Sequence, residues 1–465
     1  MARSRSLRRP RRALGAIACV ALVLGTAGCR RTRPPAGAGA SNATAMGAWS
    51  EWQDLEPLVT VARSHADERT VAVLEQAGEL LRAGKAATAD RALAAAADGA
   101  GRHWIAVARG DVAALYFTVC IRGVAWRLSD GDRGGATDRE VDFSEDRRIE
   151  PDDISVEATL TNLDAAAATS IDALRVQAMI ARARVAAFTE RCPPNDGVAT
   201  LAQRILESDL ATLAAEGHLT PDLAYLWAGV QMTRFSGAAA RPFLLQAREG
   251  GFDHPAVVHM LAVIALEAGD LERADALATE AIATHAKLGD REQEADGHFI
   301  RGEAARRRDD AKAARRHYET ALERMPTHIP ALLAIAELVF AKGGEDPAVE
   351  YVHGTLPALL PGGEELDAEG ARVAAANVEA LVIVAEKPFV AQLCRDALLL
   401  DIDEEPDPMR RGLRYFYAAT LDVRLREYEI AVGHGVLAKD ELESSDVPSP
   451  IDVQRFLDRL MESSR

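Results

Sequence analysis

Small and apolar residues recur along this chain at the spacing of an α-helix, with charged residues between them. In L-A-V-I-A-L, Leu261, Ala262 and Ala265 share one helical face. A Gly269-Asp270 turn follows, and then Ala274, Ala278 and Ala281 share a face of a second helix. Ala240 precedes Leu244 and Ala247, with Trp227 and Ala228 upstream. Ala314 precedes Tyr318, Ala321 and Pro326, with Gly302 and Ala305 upstream, and Ala348 precedes Val352, with Ile335, Ala336 and Val339 upstream. The successive spacings are 34, 40 and 34 residues, a period that marks stacked supersecondary units. Alanine where Leu or Ile would normally fill a core stripe implies that the paired helices approach closely. The H-A-K-L-G-D-R-E-Q-E-A-D segment accounts for the 40-residue interval as one longer connection. No run of period-two alternation stands out, so the body is expected to be helical throughout.

The run from Arg306 to Leu338 carries a D-D turn, Ala314, Tyr318, Ala321, Pro326 and the start of the next helix in order. It resembles the tetratricopeptide repeat, whose unit is a helix, a short turn and a second helix. The resemblance is strongest over 216–360 and implies an all-α fold, an α-solenoid in which helix pairs stack into a right-handed superhelix. Ala391 and Ala431 continue the series at gaps of 43 and 40 through a degenerate carboxy-terminal stretch, 361–465. There Glu379 stands where the family has a small residue. Asp401–Pro408, D-I-D-E-E-P-D-P, reads as a solvated acidic loop. In 49–215 the turn-and-alanine pattern returns around Ala89 as degenerate repeats, followed by an apolar helix, Asp111–Leu128, and a charged loop at 129–154. Family register places Tyr225, His259, Phe299 and Leu333 in one row of a concave groove, and Met232, Leu266, Arg306 and Phe340 in a second. In that family the groove holds peptides or partner helices. Its clamp for carboxy-terminal carboxylates needs Lys and Asn in these rows, and neither is present.

The amino terminus has a different character. Six arginines, Arg3 to Arg12, precede the apolar A-L-G-A-I-A-C-V-A-L-V-L-G-T-A-G, and L-G-T-A-G-C ends in Cys29. A basic opening, a short apolar run and small residues before a break describe a secretory signal. The last six residues resemble the lipobox of bacterial lipoproteins, which implies cleavage after residue 28 and lipidation of Cys29. Arg30, in place of the Asp that marks inner-membrane retention, favours the outer membrane, facing the periplasm. The Pro-, Gly- and Ala-rich segment 29–48 reads as a flexible tether.

Removing those six arginines takes the net charge from −17 to −23, which argues against nucleic-acid binding, since that needs a basic footprint. Cys120, Cys192 and Cys394 form no C-x-x-C pair; Cys120 and Cys394 lie among apolar residues as small buried hydrophobes. Gly78 and Gly84-Lys85 miss phosphate-loop spacing, with Ala86 in place of the magnesium-binding hydroxyl. The D-G-D-R-G-G-A-T-D run from Asp130 lacks an acidic third ligand at Gly134 and the closing Glu at Val141. Neither H-E-x-x-H nor G-x-S-x-G occurs. The expectation is a non-enzymatic, cofactor-free and metal-free scaffold that binds a protein or peptide in its groove and a membrane through its anchor. A second expectation comes from A-L-Y-F at Ala114–Phe117, which resembles the T-component lipoproteins of TRAP transporters and implies a channel and a trimer.

Overall fold

The computed structural model describes residues 55–83, 85–126, 156–191, 196–252, 254–360 and 366–463. The signal, Cys29, the tether, the charged loop and Cys192 lie outside them. The described residues form α-helices with one short 3-10 turn and no strand, so the fold is all-α. They fall into two compact units. One takes the described residues of Met1–Ala268 with Lys287–Gly289; the other takes Gly269–Ala286 and Asp290–Arg465.

The first unit contains α1 (Glu56–His65), α2 (Glu68–Arg82), α3 (Ala86–Ala95), α4 (Arg102–Trp126), α5 (Val156–Ala167), α6 (Asp172–Arg191), α7 (Asp196–Glu216), α8 (Pro221–Arg234), α9 (Gly237–Glu249) and α10 (Pro255–Ala268). Most helices pack on neighbours one or two places along the chain, but α1 also packs on α4 and α6. The amino-terminal part therefore closes into a bundle around α4 and α6. Leu58, Leu74, Ile105, Leu163 and Leu174 are buried in this unit. Charged groups are paired among them: the partly buried Arg182 on α6 makes a two-pronged bond to the buried Asp209 on α7, both contacts at 2.7 Å. Arg184, two residues on and so on a different face of α6, donates to Asp222 on α8 at 2.8 Å and to Asp111 on α4 at 3.2 Å.

The second unit contains most of α11 (Leu271–Leu288), then α12 (Arg291–Arg307), α13 (Ala311–Arg324), α14 (Ile329–Gly343), α15 (Glu345–Leu359), α16 (Ala368–Val384), α17 (Pro388–Leu399), α18 (Pro408–Leu425), α19 (Tyr428–Ser444) and α20 (Val453–Ser463). Its principal packing is entirely between helices one or two places apart. Side chains specify where these helices begin. Asp310, Asp367 and His328 accept from the backbone N–H three residues on, at 2.9, 2.7 and 3.1 Å, satisfying donors that the first turn leaves open. Gly344 turns the chain between α14 and α15 at φ 88°, a conformation that a side chain would strain.

The alanine periodicity acquires a physical meaning here. Ala89, Ala240, Ala274, Ala314, Ala348, Ala391 and Ala431 each stand three residues after the first residue of α3, α9, α11, α13, α15, α17 and α19, and each is fully buried. The first helix of a pair complements this with its own small residues. A Cβ built on Gly302 of α12 would lie 2.3 Å from the Tyr318 ring of α13. Alanine normally stabilises a helix relative to glycine, but here it forces ring and backbone apart. Gly302→Ala is expected to lower stability by about 1–3 kcal/mol, the typical range for overpacking, measured by urea unfolding.

Three details of the sequence reading change. H-A-K-L-G-D-R-E-Q-E-A-D is not a loop: its ends belong to α11 and α12, and only Gly289-Asp290 turns between them, so the extra residues lengthen helices. The acidic segment 401–408 is only partly solvated. Ile402 and Asp407 are buried, and Asp407 caps α18 through Met409 N at 3.0 Å while accepting from Leu366 N at 3.2 Å. Glu379, in the small-residue position, points to solvent, and α16 packs chiefly on α18 rather than on α17, with Ala374, Val378 and Ala391 in one shared core. Cys394 is fully buried, and burial pushes its thiol up to about 12.

Candidate functional site

The residues expected to line a groove divide by exposure. Met232 (7% exposed), His259 (1%), Leu266 (7%) and Leu333 (4%) are buried within their own units and offer no surface to a partner. Tyr225 is half-buried in the first unit, its ring 5.5 Å from Phe252 and 5.2 Å from His254. Phe252 and His254 stack at 5.6 Å with planes 7° apart, so a loop histidine and a buried phenylalanine brace the tyrosine.

In the second unit, Phe299 and Arg306 share a face of α12 with Asp296 and Glu303 at helical spacing. Phe299 lies against the rings of Tyr318 and His328, at 5.8 and 5.5 Å. His328 caps α14 by accepting from Ala331 N through Nδ1, so its Nε2–H donates to Asp296 Oδ1 at 2.9 Å. That arrangement fixes the tautomer. Arg306 grips the buried carboxylate of Glu303 at 2.9 and 2.6 Å, and Tyr318 Oη donates to the same carboxylate at 2.6 Å. Burial raises the Glu303 pKa, but the Arg306 and Tyr318 bonds outweigh it and hold the carboxyl below its usual range. The guanidinium is thereby compensated internally, so Arg306 orders the face more than it recruits an anion.

Behind this face, His298 and His317 rings lie 6.3 Å apart at 24°. Burial and then His317, Arg301 and Arg324 depress His298 to about 4. It is neutral at physiological pH, with its buried Nδ1 unbonded. The pair is not joined by further ligands; among the described residues no group of three His, Cys, Asp or Glu side chains is placed to hold a metal.

Phe340 remains on the surface, 36% exposed. Its ring lies 5.4 Å from Phe389 at the start of α17, itself 37% exposed. Lys387 Nζ sits 5.7 Å above the Phe389 ring and 2.5 Å from Glu337 Oε1 on α14. Ile383, 53% exposed, ends α16 just before this turn. The result is an exposed aromatic pair drawn from α14 and the start of α17, with a cation and an anion at its edge. Sequence register found Phe340 but missed Phe389 and Lys387, because they fall where the repeat pattern degenerates. The available signal was a V-A-E-K-P-F run leaving Phe389 just after a helix-starting proline.

Ala114 of the A-L-Y-F stretch is buried in α4, while the side chains of Leu115, Tyr116 and Phe117 lie outside those described. No described helix is long and apolar enough to cross a membrane. No protein-family model matches this chain, and no curated protein matches it.

Proposed function

We propose that this chain is a lipid-anchored scaffold of the bacterial envelope, a non-enzymatic solenoid of tetratricopeptide-like helix pairs that binds a protein partner. The observation that carries this reading is the exposed Phe340–Phe389 pair with the Lys387–Glu337 bridge at its edge. Aromatic side chains beside a compensated charge pair are the composition of interface hot spots, and exposed apolar clusters mark binding surfaces. Chain-ordered helix packing and the buried alanine at one fixed position of seven helices support the solenoid. The apolar run ending in Cys29 supports the anchor. The partner segment would present an apolar or aromatic side chain to the phenylalanine pair.

The test is affinity capture by the full chain from detergent-solubilised envelope, followed by titration of the purified captured protein. Phe340→Ala/Phe389→Ala is expected to weaken binding at least about 30-fold, the loss of a hot spot of about 2 kcal/mol, with helicity unchanged. Equal affinity for both chains would remove this patch as the working site.

A further inference from the structure

In a chain of net charge −17, the second unit gathers positive charge where α12 packs against α13. His298, Arg301 and Arg308 share one face of α12 by their spacing, with Arg308 as its final cap, and Arg316 and His317 follow on α13. The two half-buried histidine rings lie 6.3 Å apart at 24°. Arg301 is answered by Asp275 of α11 at 2.9 Å, and Arg324 by Glu294 at 3.3 Å. Arg308 and Arg316 are exposed, and neither guanidinium has an ion-pair partner among the described residues. Burial and then Arg301 and Arg316 push His317 below its usual range; Asp275 opposes them and Arg308 adds to them. Both unpaired guanidiniums therefore act on this ring.

The arrangement is costly for the chain alone. Lys312, also exposed and unpaired among the described residues, stands four positions before Arg316 on α13, a like-charge spacing that destabilises a helix. It also lies in the first turn, where the helix dipole disfavours a cation. The neighbouring Arg315 is by contrast neutralised by Glu319, at 2.7 Å. His298 adds a buried Nδ1 without a bonding partner, and each neutral imidazole has one N–H to donate. Two uncompensated guanidiniums match the charge of about −1.5 to −2 that a phosphate monoester carries at pH 7, and their planar forks fit its oxygens in pairs. A carboxylate brings one charge and would leave a guanidinium unanswered. We propose that His298, Arg308, Arg316 and His317 form a binding site for a phosphate monoester, free in solution or on a lipid headgroup. The site is separate from the Phe340 patch and does not depend on it.

Calorimetric titration of the full chain in detergent with inorganic phosphate is expected to show saturable binding of one equivalent. The salt is held at about 0.1 M, where exposed charges more than about 10 Å away are largely screened. Arg308→Gln with Arg316→Gln should weaken binding at least about tenfold, through the loss of charge-assisted bonds. Both side chains are exposed, so folding is retained, and helicity checks it. Arg372→Gln with Lys439→Gln removes the same charge from α16 and α19, where each cation is already paired, and should leave the affinity within about twofold. Nitrogen NMR signals of the His298 and His317 rings should move on adding phosphate to the wild type and stay still in the Arg308→Gln/Arg316→Gln chain. A second titration, with phosphatidic acid in the micelle, reads the source: competition with inorganic phosphate assigns the site to a lipid headgroup, and no competition assigns it to a soluble phosphate. Absence of saturable binding by either probe would overturn the proposal. So would a loss in Arg308→Gln/Arg316→Gln no greater than in the control, or a site that takes a tetraglutamate peptide and ignores phosphate.

Discussion

Arg184→Met is expected to lower the stability of the protein by about 3–5 kcal/mol at pH 7, the range for removing one partner of a buried ion pair. Its side chain is 8% exposed, as is that of Asp111, and that of Asp222 is 1% exposed. Burial raises the Asp111 carboxyl, attraction to Arg184 pulls it back, and the neighbouring Asp222 pushes it up again. Without the guanidinium, two carboxylates from α4 and α8 are left in an apolar interior with the hydroxyl of Thr220 as the remaining donor to Asp222. The Asp111 carboxyl, already raised by burial, would then rise further above the unfolded value of about 3.9. A carboxyl raised on folding contributes stability at low pH and loses it as pH rises through the folded pKa. The deficit of the variant should thus be greatest near neutrality and shrink on acidification towards about pH 4. Urea unfolding at pH 7 and 5 reads this directly. Arg184→Met with Asp111→Asn and Asp222→Asn should recover most of the loss, since no uncompensated charge remains. A single-variant loss under about 1 kcal/mol at pH 7 would mean that water reaches the cluster.

Tyr318→Ala is the second large effect, about 3–5 kcal/mol, because a fully buried aromatic ring is deleted. The ring fills the space opened by Gly302, supports Phe299 and satisfies Glu303. Tyr318→Phe keeps the ring and removes only the hydroxyl bond to a charged acceptor, so about 1.5–3 kcal/mol is expected. The pH dependence separates the two contributions. Glu303 is held below its usual value of 4.5 in the folded chain, so its contribution is complete above that pH and is lost as pH falls. Tyr318→Phe should flatten the acid limb of a stability–pH curve, while Gly302→Ala should shift the whole curve down. Chemical denaturation between pH 3 and 7 distinguishes these shapes, and an unchanged acid limb in Tyr318→Phe would deny the hydroxyl its role.

Local pattern carried much of the architecture. Ala240, Ala274, Ala314, Ala348, Ala391 and Ala431 are all legible as one recurring position, and all are buried at the same place in their helices. The Asp caps at 310 and 367 sit beside the helices they start, so their effect is local as well. The groove rows were less legible. Register placed His259 and Leu333 with Phe299, yet whether such a side chain faces solvent depends on what the next helices bring over it. His259 and Leu333 are covered, and Phe299 is half-covered by Tyr318 and His328.

The sequence by itself determined the helical period, the starts of most helices and the positions where two helices must come close, because each of these depends on residues within a turn or two of one another. Tertiary structure alone decided which residues became a surface and which an interior. Phe340 meets Phe389 across 49 positions of chain, and Arg184 meets Asp111 across 73. Such contacts follow from how helices stack, and no local pattern encodes them.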